Sequence, residues 1–330
     1  MTDALALADL AVHYPSRAGP PIRAVDGVSL TLAPGETLGL VGESGCGKST
    51  VSKAIVGLQP PTSGSIRVDG IEIAGADRRT LHEARARMQI VFQDTATSLN
   101  PRMTVGEAVG EPLLVRNLAR GVTLRGRVAA LLEEVGLPAD AAARYPHQFS
   151  GGQRQRIVIA RALALRPTLL VCDEPVSALD VSVRAQILNL FVDLQRTHGM
   201  ATLFVSHDLA VVRHVCDRVA VMYLGRLVEL APRDALFAAP RHPYTRALLL
   251  AVPEPDPAIQ RAKPRIPLSG EIPSPANPPP GCRFHTRCPM AQPRCTTEEP
   301  AWRRVGASDV ACHYAESVTP PAATAPSAPP

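Results

Sequence analysis

Up to about residue 235, short apolar runs rich in β-branched residues alternate along the chain with helical stretches. VSLTL (28–32) and TLGLVG (37–42) flank the turn Ala33-Pro34-Gly35-Glu36, while QIVFQ, TLLVCDEP and ATLFVSHD each end an apolar run in polar residues. This alternation predicts an α/β fold around a largely parallel sheet. Open parallel sheets take ligands at the carboxyl ends of their strands, which is where those polar residues fall. From Asn100 to Leu165 the texture becomes helix-rich, with LRGRVAALLEEVGL its clearest stretch. A helical subdomain of about residues 95–165, inserted into a first unit of residues 1–235, is the expectation. Beyond Val252 comes a third texture holding more than half of the 33 prolines. Residues 236–316 are therefore set apart as a C-terminal extension. In 317–330, TPPAATAPSAPP cannot bury enough apolar surface to fold and is expected to be a disordered tail.

Composition narrows this picture only a little. With 330 residues, 45% of them apolar, the chain can bury substantial cores. The 35 basic residues outnumber the 30 acidic ones by so few that the surface reads as mixed, not as a nucleic-acid footprint. MTDALALADLAVHYP lacks the basic start, apolar core and cleavage site of a signal peptide, and no 18-residue apolar run follows. The expectation is a protein that does not span a membrane and keeps its thiols reduced, so disulfides are disfavoured.

The chemistry begins at GESGCGKST, Gly42 to Thr50, which fits G-x-x-x-x-G-K-[ST] between a strand and a helix opening at Lys48. Gly42, Ser44, Gly45, Cys46 and Gly47 let backbone N–H groups curl around a phosphate chain, and Thr50 completes the first helical turn. Lys48 is placed to reach the β- and γ-phosphates of ATP, Ser49 to ligate Mg2+, and the helix N-terminus adds its dipole. In TLLVCDEP, Asp173 is expected near the metal's waters and Glu174 beside the attacking water. His207, after ATLFVS, is a candidate for the γ-phosphate and for holding Glu174 in register, and Gln93, ending QIVFQ, for the metal and water.

Ser150, Gly151, Gly152 and Gln153 open a second glycine-bearing helix, QRQRIVIARALAL, and hence a second anion site. One nucleotide has one triphosphate, already cradled by the first loop. The spare cradle suggests a site shared with another subunit, since a helix cap alone would not need both glycines.

In this order GESGCGKST, VFQD, FSGGQRQR, VCDEP, SALD and SHD resemble the nucleotide-binding subunits of ABC transporters over residues 5–235. The resemblance implies a RecA-like P-loop core and a head-to-tail dimer with two ATPs between one subunit's Walker A loop and the other's SGGQ signature. It also assigns Tyr14 to stacking on adenine and Asp180 in SALD to communication across the dimer. A narrower resemblance, in FQDTATSLNPRMTVGEAVGEPL, DEPVSALDVSVRAQILNL and RHPYTRALLLAVPEPDP, is to the ATP-binding subunits of dipeptide/oligopeptide importers. PVSALDVS suggests the second of two paired ATPase subunits. Implied partners are a paralogous ATPase, two integral membrane permeases and, indirectly, an extracytoplasmic peptide-binding protein. The implied location is peripheral, on the cytoplasmic face of the inner membrane. Related importers carry nickel or other small solutes. A soluble ABC ATPase acting on nucleic acid is the reading from another class, but such proteins join two cassettes or insert a long coiled coil, and neither is present here. An exporter ATPase fits the core, but not the separate chain with its RHPYT extension.

GCRFHTRCPMAQPRC and VACHYA give Cys282, Cys288, Cys295 and Cys312 the spacing C-x5-C-x6-C-x16-C. Structural zinc prefers closer pairs, whereas iron–sulfur clusters accept sets of four cysteines at varied spacing. Arg283, Arg287 and Arg294 lie between the cysteines and could offset a cluster's charge, and His285 and His313 are adjacent alternative ligands. From the residues, a cluster, zinc, and free or paired thiols all stay open; the importer resemblance implies a 4Fe-4S cluster that clamps the proline-rich segment.

Overall fold

The computed structural model describes residues 2–16, 19–253, 256–262 and 270–318. Residues 319–330, most of the expected tail, lie outside that set. Leu5–Tyr14 (β1) and Ile22–Leu32 (β2) pair antiparallel, Leu5 opposite Leu32. Thr37–Val41 (β3), Lys48–Ile55 (α1), Ser63–Val68 (β4), Ile71–Glu72 (β5), Arg78–Arg87 (α2) and Met88–Val91 (β6) follow. Four helices come next: Thr95–Ser98 (α3), Val105–Val115 (α4), Gly121–Glu134 (α5) and Gly151–Leu163 (α6). Strand and helix then alternate through Leu169–Asp173 (β7), Val181–His198 (α7), Ala201–Ser206 (β8), Leu209–Val215 (α8), Arg218–Tyr223 (β9), Arg226–Pro232 (β10), Arg233–Ala238 (α9) and Pro243–Ala251 (α10). Pro257–Ala262 (α11), Pro293–Thr297 (α12), Arg303–Val305 (β11) and Ser308–Val310 (β12) complete the described strands and α-helices.

Two sheets result. One is antiparallel, in the order β2-β1-β4-β5, and the other runs β11-β12-β10-β9-β3-β8-β7-β6. Strands β6, β7, β8, β3 and β9 are mutually parallel, and β10 and β12 extend them antiparallel. The central strands divide two apolar cores by simple alternation. In β7, Leu169 and Val171 face the cluster shared with the antiparallel sheet, while Leu170 and Cys172 face the helices. Both faces are covered, so TLGLV and LLVCD read as unbroken apolar runs.

VSLTL and TLGLV part at the turn they flank: β2 enters the antiparallel sheet and β3 the central one. Their periods differ accordingly. From Val28 to Leu32 burial alternates, as in a strand with one wet face, whereas all five β3 residues are buried. The expected helical stretch stands between β6 and β7. Helix α4 starts at a capping box in which Thr104 and Glu107 satisfy each other's backbone N–H groups.

The proline-rich segment is tied to this body by ordinary contacts. Glu229 and Leu230 of β10 pair with Val310 and Asp309 of β12. Phe284, 1% exposed, packs edge-on against Tyr223 at 5.2 Å and tilted against Tyr244 at 5.4 Å. Arg283 donates to the Leu224 carbonyl at 2.7 Å and to the Asp26 carboxylate on β2.

Candidate functional site

Parallel register builds the site. Val41 of β3 lies beside Ser206 of β8, Val205 of β8 beside Asp173 of β7, and Cys172 of β7 beside Val91 of β6. The residues just past these strand ends therefore share one rim: Gly42, His207, Glu174 and Gln93.

The 42–50 loop needs its glycines for space as well as for curvature. A Cβ at Gly47, whose φ is +109°, would meet the Ala24 carbonyl oxygen at 2.1 Å, and one at Gly42 would meet that of Met222 at 2.2 Å. Gly45, at φ +79°, has open space around it. Lys48 is buried and donates from Nζ to the carbonyls of Gly42 (2.8 Å) and Glu43 (3.0 Å), which centres its charge in the loop. Gly47 caps α1 with no side-chain bond, leaving first-turn N–H groups open to an anion. Cys46 is buried and its thiol is pushed up by that burial; Ser44 lies within the loop and Thr50 on α1.

Ser49 Oγ donates to Asp173 Oδ1 at 3.0 Å. Burial raises the Asp173 carboxyl, and Ser49's hydrogen bond only partly offsets this. Ser49, Asp173 and Gln93 line one cavity of about 680 Å3 together with Lys53 and Arg161. Its hydroxyl, carboxylate and amide oxygens are the donor set a hard divalent cation prefers, so these residues fit Mg2+. Glu174 turns out of β7 at φ +52°, with its N–H bonded to the Val205 carbonyl at 3.0 Å. That left-handed conformation is strained for a non-glycine residue, and it sets Glu174 Oε2 3.2 Å from His207 Nδ1.

The second glycine pair sits apart from this rim. Ser150 accepts from the Gln153 N–H at 3.3 Å, Gln153 Oε1 accepts from the Ser150 N–H at 3.0 Å, and α6 begins. A Cβ at Gly152 would strike Val183 Cγ1 at 2.3 Å, so packing on α7 already demands that glycine. At Gly151 a Cβ would touch only Leu179, at an ordinary 3.8 Å. Asp180 caps α7, accepting from the Val183 N–H at 2.9 Å and the Ser182 hydroxyl at 2.8 Å; these bonds hold its carboxyl low. Tyr14, at the end of β1, packs part of its ring on the antiparallel-sheet core.

The 4Fe-4S cluster that the importer resemblance implies requires a correction. Cys282, Cys288, Cys295 and Cys312 do line one small pocket, but with Phe284, Met290 and Tyr314 packed among them. Burial raises the Cys282, Cys288 and Cys312 thiols, Cys288 to about 11 and Cys312 to about 12. Among the described residues no group of three or more His, Cys, Asp or Glu is arranged to hold a metal ion, so the 4Fe-4S cluster and its zinc alternative are withdrawn. All four are free thiols. His285 and His313 bond to the carbonyls of Cys282 (2.8 Å) and Glu298 (3.0 Å).

One set of contacts had no local signal in the sequence. Arg287 of the extension forks onto the Glu43 carboxylate, Nη1 to Oε2 at 2.6 Å and Nη2 to Oε1 at 3.0 Å, and the Glu43 N–H donates to Tyr244 Oη at 2.9 Å. The pair is separated by 244 positions, beyond the reach of any motif.

Comparison with known proteins places the chain in a family. Residues 25–177 match the ABC transporter family model, and residues 228–295 match that of the oligopeptide/dipeptide transporter C-terminal region. A probable peptide ABC transporter ATP-binding protein of Sinorhizobium fredii is 54% identical across 98% of this chain and 93% of its own length. The di/tripeptide transport ATP-binding protein DppF of Pseudomonas aeruginosa is 49% identical, covering 96% and 99%. The oligopeptide transport ATP-binding protein OppF of Salmonella typhimurium is 52% identical, covering 90% and 91%. Among solved structures, cbiO1 of Clostridium perfringens, part of the ABC transporter complex cbiONQ, superposes with TM-score 0.64 at 28% identity over 72% of this chain and 91% of its own. A dimeric bacterial ABC transporter cassette gives 0.63 at 31% identity over 69% and 98%. With strand order, phosphate loop and near-full-length relatives in agreement, the chain belongs to the ATP-binding subunits of peptide-type ABC transporters.

Proposed function

We propose that this chain is the ATP-hydrolysing subunit of an importer of di- and oligopeptides. The observation that carries the reading is the shared rim, where the phosphate loop, the Ser49–Asp173 pair, Gln93 and the Glu174–His207 pair meet at the ends of parallel strands. The loop's N–H groups and Lys48 take the β- and γ-phosphates of ATP, exchanging Lys48's carbonyl partners for phosphate oxygens. Ser49 and Gln93 would hold Mg2+ directly and Asp173 would hold its waters; the ion supplies charge neutralisation at the phosphates. Glu174 accepts a proton from the water that attacks the γ-phosphorus, while the bond to the ADP oxygen breaks. His207 keeps that carboxylate in line through their contact. Tyr14 offers its ring to adenine.

Gly151 supports a site completed between chains. Nothing in this chain's packing requires glycine there, yet it stands at an exposed helix N-terminus. The working unit is then this chain with a paralogous ATPase, each presenting its Ser150-Gly151-Gly152-Gln153 turn to the other's nucleotide, with Asp180 beside the joint. Two membrane permeases and an extracytoplasmic peptide-binding protein complete it. No helix among the described residues is long and apolar enough to cross a membrane, consistent with a peripheral subunit on the cytoplasmic face. Reconstitution in vesicles tests the reading: ATP turnover should rise when peptide-loaded binding protein is added on the opposite side. Turnover indifferent to peptide but responsive to a metal or glycoside-loaded binding protein would overturn the peptide assignment.

A further inference from the structure

Glu43 is an awkward residue for its place. It follows Gly42 in a loop shaped for a triphosphate, and an unneutralised carboxylate there repels the ligand. The extension answers with Arg287, which is 7% exposed and forked onto Glu43 through both terminal nitrogens. Such bidentate pairing fixes geometry as well as charge. The Arg287 guanidinium carbon also lies 5.9 Å from the Tyr223 ring centre, and Phe284, three residues earlier, packs against both Tyr223 and Tyr244, which also touch each other. Tyr244 accepts from the Glu43 N–H, and the Glu43 carbonyl is one of the two backbone carbonyls that accept from Lys48 Nζ. The path from the extension to the phosphate-binding lysine is thus two hydrogen bonds long.

We propose that Arg287 and Tyr244 are positioning residues of the nucleotide site. Arg287 cancels the charge that Glu43 brings to the phosphate loop, and Tyr244 fixes the peptide that carries an acceptor of Lys48. Docking of residues 281–288 thereby sets ATP affinity, an inference that rests on the ATP-binding reading above.

The test measures Mg-ATP affinity of the full-length chain by calorimetric titration, with turnover and thermal midpoint followed alongside. Arg287→Gln should weaken ATP binding about tenfold, with a smaller change in turnover at saturating ATP. The double variant Glu43→Gln/Arg287→Gln should return to within about threefold of wild type, because the uncancelled charge is gone although the ion pair is still missing. A purely structural pair predicts the opposite, a double variant no better than the single one, and that result, or wild-type affinity in Arg287→Gln, overturns the charge role. Should Arg287→Gln fail to fold, Glu43→Gln alone substitutes for it: it leaves the Arg287 charge uncancelled beside the loop, so ATP should bind more tightly than to wild type at low salt, with the gain fading as salt rises, and equal affinity at low salt refutes the charge role. Tyr244→Phe, which keeps the ring, should weaken ATP about threefold; no change removes Tyr244 from the proposal. Lys48→Ala is the control. If it too binds ATP like wild type, the ATP-binding reading fails; if only Lys48→Ala weakens binding, this inference alone fails.

Discussion

The helices that begin at Lys48 and Gly151 both open on glycines, and the chain treats them differently. Around the first it gathers a buried lysine, a hydroxyl–carboxylate pair and a strained Glu174 facing His207. Around the second it supplies a capping box and one packing contact, and leaves Ser150 and Gln153 exposed. Both have the same electrostatics at the backbone. What separates a reaction site from a binding surface is therefore what the rest of the sheet brings to it, and here only the first helix stands at the carboxyl ends of parallel strands.

The largest test of that contrast is Glu174→Gln, which should keep ATP binding and slow hydrolysis by about 10²–10⁴ in steady-state assays; near-wild-type turnover would strip the first site of its base. Lys48→Ala should weaken ATP binding by about 10–100-fold, the value of a charge-assisted hydrogen bond to phosphate. A change confined to turnover would mean that Lys48 does not contact the ground-state nucleotide. For the second helix, mixing Gly151→Asp chains with wild-type paralogue should lower turnover about tenfold or more at the site whose phosphate loop lies on the partner. A defect wholly within the mutant's own loop would break the shared-site scheme. The two glycines themselves should separate in a thermal melt. Gly152→Ala must push Val183 aside and should cost about 1–3 kcal/mol, while Gly151→Ala should stay within about 0.5 kcal/mol of wild type.

Acid tests one support of the first helix. Asp26 on β2 donates its N–H to the Gly225 carbonyl, and Gly225 in turn donates to the Cys46 carbonyl of the phosphate loop. Burial alone would raise the Asp26 carboxyl, but hydrogen bonds and charge from Arg283, His13 and Arg226 outweigh it and bring it to about 2, below its ordinary 3.8. The folded state thus binds the proton more weakly than the unfolded chain. Asp26's stabilisation, about 2 kcal/mol, is present above about pH 4 and disappears as pH falls toward 2. Melts of wild type and Asp26→Asn between pH 2 and 6 should converge at the acid end, and parallel curves would exclude Asp26 as the cause.

Much of the first site was legible because its chemistry is local. GESGCGKST, VCDEP and SHD each keep their functional residues within a few positions of a strand end, and parallel pairing did the rest. The antiparallel sheet was less visible as a separate layer, although the alternating burial of VSLTL against the unbroken run TLGLV held the clue. The resemblance misled at the cysteines. Cys282 and Cys312 come near each other because β12 adds to β10 and Phe284 fills an aromatic pocket, so their proximity needs no metal to explain it. Arg287 against Glu43 could not be read at all, since residues so distant in sequence show no pattern until the fold brings them together.

The β10–β12 pairing also bears on how the molecule behaves in solution. Without residues 303–310, β10 would offer an unpaired row of N–H and C=O groups to any other extended chain, the usual route to edge-to-edge aggregation. The strand that lies outermost instead is three residues long and carries Arg303 and Arg304, a short, charged border unsuited to templating. A chain shortened before Arg303 should consequently lose colloidal solubility before it loses its nucleotide pocket, with light scattering rising while the α/β core stays folded.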